Sequence, residues 1–200
     1  MPPLSPIICT SAHRAPSRPP ATPAALRTLP PTEIIPGLYV GDLAAAESPQ
    51  VLAALGITHI LSAMSGHVAS PHPSTLPHLP PHVSLQRLQL PLQDSPFSEL
   101  AALLPRATAW IAAALREPGA RVLVHCVQGV SRSASVAAAF LVAHYACTPE
   151  HAVQLVQAKR PCAQPNPGFV AQLAEFAQSL RPPGRPPHAP HPHSSRAPAR

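Results

Sequence analysis

The segment His125-Cys126-Val127-Gln128-Gly129-Val130-Ser131-Arg132-Ser133 holds the residues of this chain best suited to chemistry. It lies between the most strand-like run, Val122-Leu123-Val124, and the most helix-like one, which starts at Ser133. A loop entering a helix N-terminus aims several unpaired backbone N–H groups at one spot, where the helix dipole adds partial positive charge. Gly129 has no side chain and lets the backbone curl, so the amides of Val127, Gln128, Gly129, Val130 and Ser131 can converge as an anion nest. Arg132 can return a planar fork of donors to the same anion. The ligand this suits is a tetrahedral dianion.

Cys126 sits at the floor of that nest. The amides, the dipole and the Arg132 charge that hold a phosphate also stabilise a thiolate, which is an activated nucleophile for covalent catalysis. Phosphoryl transfer needs mainly positioning and charge stabilisation, and such a ring of donors supplies both. Ser133 places a hydroxyl where it can donate to the thiolate as it leaves. The bland reading is a buried cysteine in a glycine-containing turn beside a surface arginine; the strand before and the helix after weigh against it.

A phosphate monoester also needs its leaving oxygen protonated. The chain has only two aspartates, Asp42 and Asp94. Asp94 ends the Gln89-Leu90-Pro91-Leu92-Gln93 segment and precedes Ser95-Pro96, so it can overhang a neighbouring site as general acid; a helix cap or Asx-turn is its bland role. Asp42 follows Gly41 and reads as a turn residue.

The elements that must position these groups alternate. Leu38-Tyr39-Val40 predicts a short strand closed by Gly41, and Ile57 to Leu61 a buried strand. Ser84 to Leu90 alternates apolar and polar residues as a half-buried strand does. Ser48-Pro49, Thr148-Pro149 and Asn166-Pro167 each pair a capping residue with a first-turn proline, and Gly56 stops the first of these helices. A helical stretch after Pro96 should break near Pro105, and residues 62–83 read as a Pro/His/Ser-rich loop. Strands alternating with helices predict an α/β layer architecture.

The segment Val124 to Ser135 resembles the signature loop of the cysteine-dependent protein phosphatases, specifically the small dual-specificity phosphatases. Leu38-Tyr39-Val40-Gly41 is similar to that family's first strand, and Ile57-Thr58-His59-Ile60-Leu61 to the strand after its first helix. Leu90 to Pro96 resembles its general-acid loop, and Arg160-Pro161 through Pro165-Asn166-Pro167-Gly168-Phe169 its C-terminal motif. The resemblance covers nearly all of 33–180. It implies a single α/β domain with a mixed central sheet flanked by helices, and a shallow pocket open to phosphotyrosine and phosphoserine/threonine in proteins. It further implies Cys126 as nucleophile, Arg132 as phosphate clamp, Asp94 as general acid then base, Ser133 as an aid to thiophosphate hydrolysis, and His125 as the residue that orients the loop. Asn166 would brace the loop, though its place as a helix cap explains it nearly as well. No metal or other cofactor is implied. The same chemistry on a glucan, lipid or RNA-end phosphomonoester is an alternative, as is a silent phosphate-binding module.

Charge and proline bound the rest. Residues 1–32 hold three arginines and no acid, and residues 181–200 hold four and no acid, so the net +6 belongs to the tails. A basic, nucleic-acid-binding middle is thereby excluded. Sixteen of the 31 prolines also lie in those two stretches, which predicts disordered tails around a catalytic domain at 33–180. No apolar run is long enough for a membrane span. Cys9, Cys126, Cys147 and Cys162, without a secretory signal, read as reduced thiols, with Cys147 and Cys162 as buried small hydrophobes. The expected compartment is the cytoplasm; the acid-free N-terminus leaves an organellar transit segment as the alternative. His67, His72, His78 and His82 lack an accompanying cysteine or acid and are not assigned to a metal.

Overall fold

The computed structural model describes residues 29–79 and 84–181. Two short strands, β1 (Thr32–Ile35) and β2 (Leu38–Gly41), lead into helices α1 (Leu43–Glu47) and α2 (Pro49–Leu55). There follow β3 (His59–Ala63), β4 (Gln86–Leu90), α3 (Leu100–Leu115), β5 (Val122–His125), α4 (Arg132–Tyr145), α5 (Pro149–Lys159) and α6 (Pro167–Ser179). The strands form one mixed sheet of order β1-β2-β5-β3-β4, with only the β1–β2 pair antiparallel. The expected single α/β domain with a mixed sheet is what the chain folds into. The predicted disorder of residues 1–28 and 182–200, like His82, lies outside the described residues, whereas the end of the predicted N-terminal tail is described, and Thr32 is in β1.

Strand periodicity divides the core. Leu38 and Val40, Leu61 and Ala63, Leu88 and Leu90, and Val122 and Val124 face a large cluster shared with α3, α4, α5 and α6. Their neighbours Tyr39, Ile60 and Leu123 point the other way, into a smaller cluster with Ala46, Leu52, Ile57, Leu76 and Leu79. Helix α4 runs through the larger cluster with ten buried residues, Ser133 to Val142, so its N-terminus is held rigidly against the sheet. Because β2, β5, β3 and β4 are parallel, their C-terminal ends, Gly41, His125, Ala63 and Leu90, emerge at one edge of the sheet. Ligands of open α/β sheets bind outside such ends.

The capping pairs start helices as expected. Ser48, Thr148 and Asn166 each accept a side-chain bond from the third helical N–H, and Gly56 closes α2 at φ 62°. Other expectations need correcting. The strand predicted at Ile57–Leu61 lies at His59–Ala63, because the N–H groups of Thr58 and His59 both go to the Arg121 carbonyl before pairing begins. Strand β3 therefore runs into the segment read as loop, and within that segment Leu76 and Leu79 are buried. Helix α3 does not break at Pro105. The proline removes one intrahelical bond in the second turn, while buried Leu100, Leu104, Ala107, Thr108 and Ile111 keep the helix on the sheet. Asp42 is the N-cap of α1, its Oδ1 accepting from Ala45 N at 2.9 Å, rather than a simple turn residue. Cys147 and Cys162 are half-buried rather than buried. Strand β1 starts at Thr32, one residue ahead of the expected boundary. Among the described residues no helix is long and apolar enough to cross a membrane.

Candidate active site

The loop between β5 and α4 is held from outside by its carbonyls. Val127 O accepts from Leu43 N at 3.2 Å, and Val130 O from Gln164 N at 2.8 Å. Gly129 O accepts from Arg160 Nε at 2.8 Å. A planar trans peptide points its N–H opposite its C=O, so these braces turn the N–H groups of Gln128, Val130 and Ser131 toward the loop's interior. The Gly129 N–H already meets Cys126 Sγ at 3.2 Å. Ser133 Oγ lies 3.3 Å from the same sulfur. Cys126 is 1% exposed at the bottom of this arrangement, while Val127 and Gln128 are exposed on its rim. The loop can thus do what its sequence implies: present amides and a thiol to one anion.

Gly129 is required by space as well as by conformation. It sits at φ 69°, and a Cβ there would lie 2.6 Å from Gly41 O and 2.7 Å from Arg160 Nη2. Gly129→Ala should therefore cost more than about 1 kcal/mol of stability and weaken inhibition by inorganic phosphate. Unchanged phosphate inhibition would show that the loop tolerates a different turn.

His125 is fully buried, and burial pushes its pKa down to about 4. Its neutral ring has one N–H, and the two contacts agree on its place. Nδ1 lies 3.3 Å from Cys126 O and donates to it, which leaves Nε2 to accept from Ser62 Oγ at 2.7 Å. The tied Cys126 carbonyl turns the Val127 N–H inward like the others. Because folding depresses this pKa, the unfolded chain binds the extra proton first as pH falls. The resulting stabilisation is complete above about pH 6.5 and is lost between there and pH 4, about 3 kcal/mol in all. Urea unfolding at about pH 7 and about pH 4.5 should show that loss in the native protein. In His125→Asn it should largely vanish; an equal loss in both would assign the effect elsewhere.

Asp94 and Arg132 meet above the loop. Asp94 Oδ1 accepts from Ser131 Oγ at 2.7 Å and from Asn166 Nδ2 at 2.9 Å. Its Oδ2 faces Arg132 Nε at 3.6 Å, and Arg132 Nη1 is 3.4 Å from Leu92 O. Oδ1 being taken twice, a proton on this carboxyl belongs on Oδ2. Asn166 caps α6, its Oδ1 accepting from Phe169 N at 2.9 Å; its side chain holds Asp94 rather than the loop, which it touches only through its backbone N–H, donated to Ser131 Oγ at 3.2 Å. The start of α6 lies flat on the loop that carries Asp94: a Cβ on Gly168 would collide with Pro96 O. Ser131, expected to contribute its backbone, spends its side chain on Asp94 rather than on capping α4.

The sequence did not mark Ser62, and it marked Arg160 only as the start of the C-terminal motif, with no role of its own. Ser62 is a polar residue in the apolar run of β3, which is a usable signal; Arg160, 2% exposed, looked like any basic residue ending a helix. Sequences and structures of known proteins resemble this chain over the same stretch. The dual specificity phosphatase catalytic domain model matches residues 38–179. Human dual specificity protein phosphatase 13B is 39% identical over 141 residues, which is 70% of this chain and 69% of that protein. A Dictyostelium discoideum MAP kinase phosphatase with leucine-rich repeats, protein 3, is 35% identical over 150 residues, and the chain spans only 16% of its length. The crystal structure of human DUSP28 superposes with a TM-score of 0.65 at 33% identity, covering 76% of this chain and 95% of that one.

Proposed function

The chain belongs to the dual specificity phosphatase family and is a protein-tyrosine/serine/threonine phosphatase; on that premise we propose that it hydrolyses phosphotyrosine and phosphoserine/threonine in proteins through a cysteinyl-phosphate intermediate. The observation that carries the reading is the sulfur of Cys126 beneath inward-turned amides, with the Asp94 carboxyl at the lip. The thiolate attacks phosphorus, and the bond from phosphorus to the leaving oxygen breaks. That oxygen takes the proton from Asp94 Oδ2. Water then attacks phosphorus and gives a proton to Asp94, the sulfur–phosphorus bond breaks, and inorganic phosphate leaves. The Ser133 hydroxyl, 3.3 Å from the sulfur, donates to the departing thiolate. Arg132 supplies charge and two donors to the equatorial oxygens. The backbone of Val127, Gln128, Gly129, Val130 and Ser131 supplies the rest of the cradle. His125 contributes position rather than charge, being neutral at physiological pH.

A protein substrate is favoured by the rim. Phe97, 91% exposed and three residues past Asp94, offers an apolar platform to the peptide around a phosphoresidue. The folded catalytic unit we assign begins near Pro30, because Arg160 holds Pro30 O and Thr32 Oγ1. A nucleophile that must stay a thiolate fits a reducing compartment. The test is phosphate release by the full chain from phosphotyrosine and phosphoserine/threonine peptides, set against a phosphoinositide, a phosphoglucan and a 5′-phosphorylated RNA. Peptides turned over with the higher kcat/KM support the reading; preference for one of the others moves the substrate class, and no turnover on any sinks it.

A further inference from the structure

Arg160 closes α5 and, among the described residues, is the one charged side chain that holds a carbonyl of the catalytic loop. Its Nε holds Gly129 O at 2.8 Å, and its Nη1 holds both Pro30 O and Thr32 Oγ1 at 3.0 Å. The guanidinium is thereby fixed from two sides, on the outer face of the loop. Its Nη2 is buried without a hydrogen-bond acceptor among the described residues. All eight acids of the chain lie within the described residues, and none pairs with Arg160. A buried cation without a counter-charge is costly, so this charge calls for an anion nearby. The nest of Cys126 lies immediately across the Gly129 peptide.

We propose that Arg160 is a positioning residue for phosphoryl transfer: it keeps the Gly129 carbonyl turned out of the nest, and its buried charge attracts the anion bound on the other side. The inference rests on the phosphatase reading above. Were the Gly129–Val130 peptide to turn over, a carbonyl oxygen would face the phosphate where the Val130 N–H should be. That exchange replaces an attraction with a repulsion. With φ at 69° and no Cβ, Gly129 is the loop residue best able to make such a turn, so it most needs an external hold.

The test compares Arg160→Met, which removes charge and donors but keeps an unbranched chain, with Arg160→Lys, which keeps the charge. The readouts on the full chain are kcat and KM on a small aryl phosphate, inhibition by inorganic phosphate and vanadate, and melting temperature. Arg160→Met should bind both anions about 10- to 100-fold more weakly, the worth of one charge-assisted bond, and Arg160→Lys within a few-fold of the native protein. If the methionine variant does not fold, Arg160→Gln takes its place, keeping a donor for Gly129 O without the charge, with the same outcome expected. A folded uncharged variant with native anion affinity and only a lowered melting temperature overturns the proposal. So does a lysine variant as impaired as the uncharged one. Native protein that neither releases phosphate nor responds to vanadate would sink the phosphatase reading itself; native activity with unaffected Arg160 variants would sink only this inference.

Discussion

Cys126→Ser should lower turnover on every phosphomonoester by about 10⁴-fold or more, while inorganic phosphate continues to bind within a few-fold of the native affinity. The two halves of that expectation have separate physical sources. Binding depends on amides turned inward by carbonyl braces at Val127, Gly129 and Val130, none of which involves the sulfur. Turnover depends on an anionic nucleophile. A serine hydroxyl at that position would need a general base, and the one imidazole beside it is committed: His125 donates to Cys126 O and accepts from Ser62. Ser133 offers a hydroxyl but cannot take a proton at neutral pH. The measurement is phosphate release together with the thermal shift caused by phosphate. Residual turnover above a few per cent would place the nucleophile elsewhere, and loss of the thermal shift would mean that the sulfur organises the loop.

Asp94→Asn should hurt most where the leaving oxygen is most basic. On a phosphoserine or phosphothreonine peptide the loss should be about 10²–10⁴-fold, the usual worth of a general acid. An aryl phosphate whose phenol departs readily as an anion should lose far less. Asparagine can keep the Oδ1 bonds to Ser131 and Asn166, so the loop should stay in place, but its amide cannot deliver a proton from the Oδ2 position. An equal loss on all substrates would make Asp94 a structural anchor. Of the other upstream carboxylates, Glu33 accepts from Gly37 N, Asp42 caps α1, Glu47 accepts from Ala69 N at 2.8 Å and Glu117 faces His59 Nε2, which leaves Glu99 as the next group to replace.

What was legible in the sequence is what neighbouring residues decide among themselves. The caps at Ser48, Thr148 and Asn166, the stop at Gly56, and the strand–loop–helix around Cys126 all concern residues a few positions apart, where backbone conformation and hydrogen bonding are local. The proposed nucleophile Cys126, the Arg132 donors and the inward amides belong to one continuous segment, so the chemistry proposed for them could be read before any fold was known. Pro105 misled for the same reason in reverse. Local propensity opposes a proline in a helix, but the apolar face of α3 gains more from lying unbroken on the sheet than the one missing bond costs.

The composition of the finished site was decided by pairs far apart in the chain. Asp94 reaches Ser131 across 37 positions and Asn166 across 72. His125 reaches Ser62 across 63, and Arg160 reaches Gly129 across 31. No local pattern marks such pairs, because each residue alone has an ordinary explanation as a cap, a strand hydroxyl or a helix-end charge. They come together because parallel strands deliver Gly41, Ala63, Leu90 and His125 to one edge of the sheet, and because burial there leaves each polar group only the partners that the packing brings. The amino-acid sequence by itself determined which atoms we propose for the chemistry. Tertiary packing decided which way the peptides face and which groups hold the acid, because both depend on buried hydrogen bonds that exist only once distant segments have met.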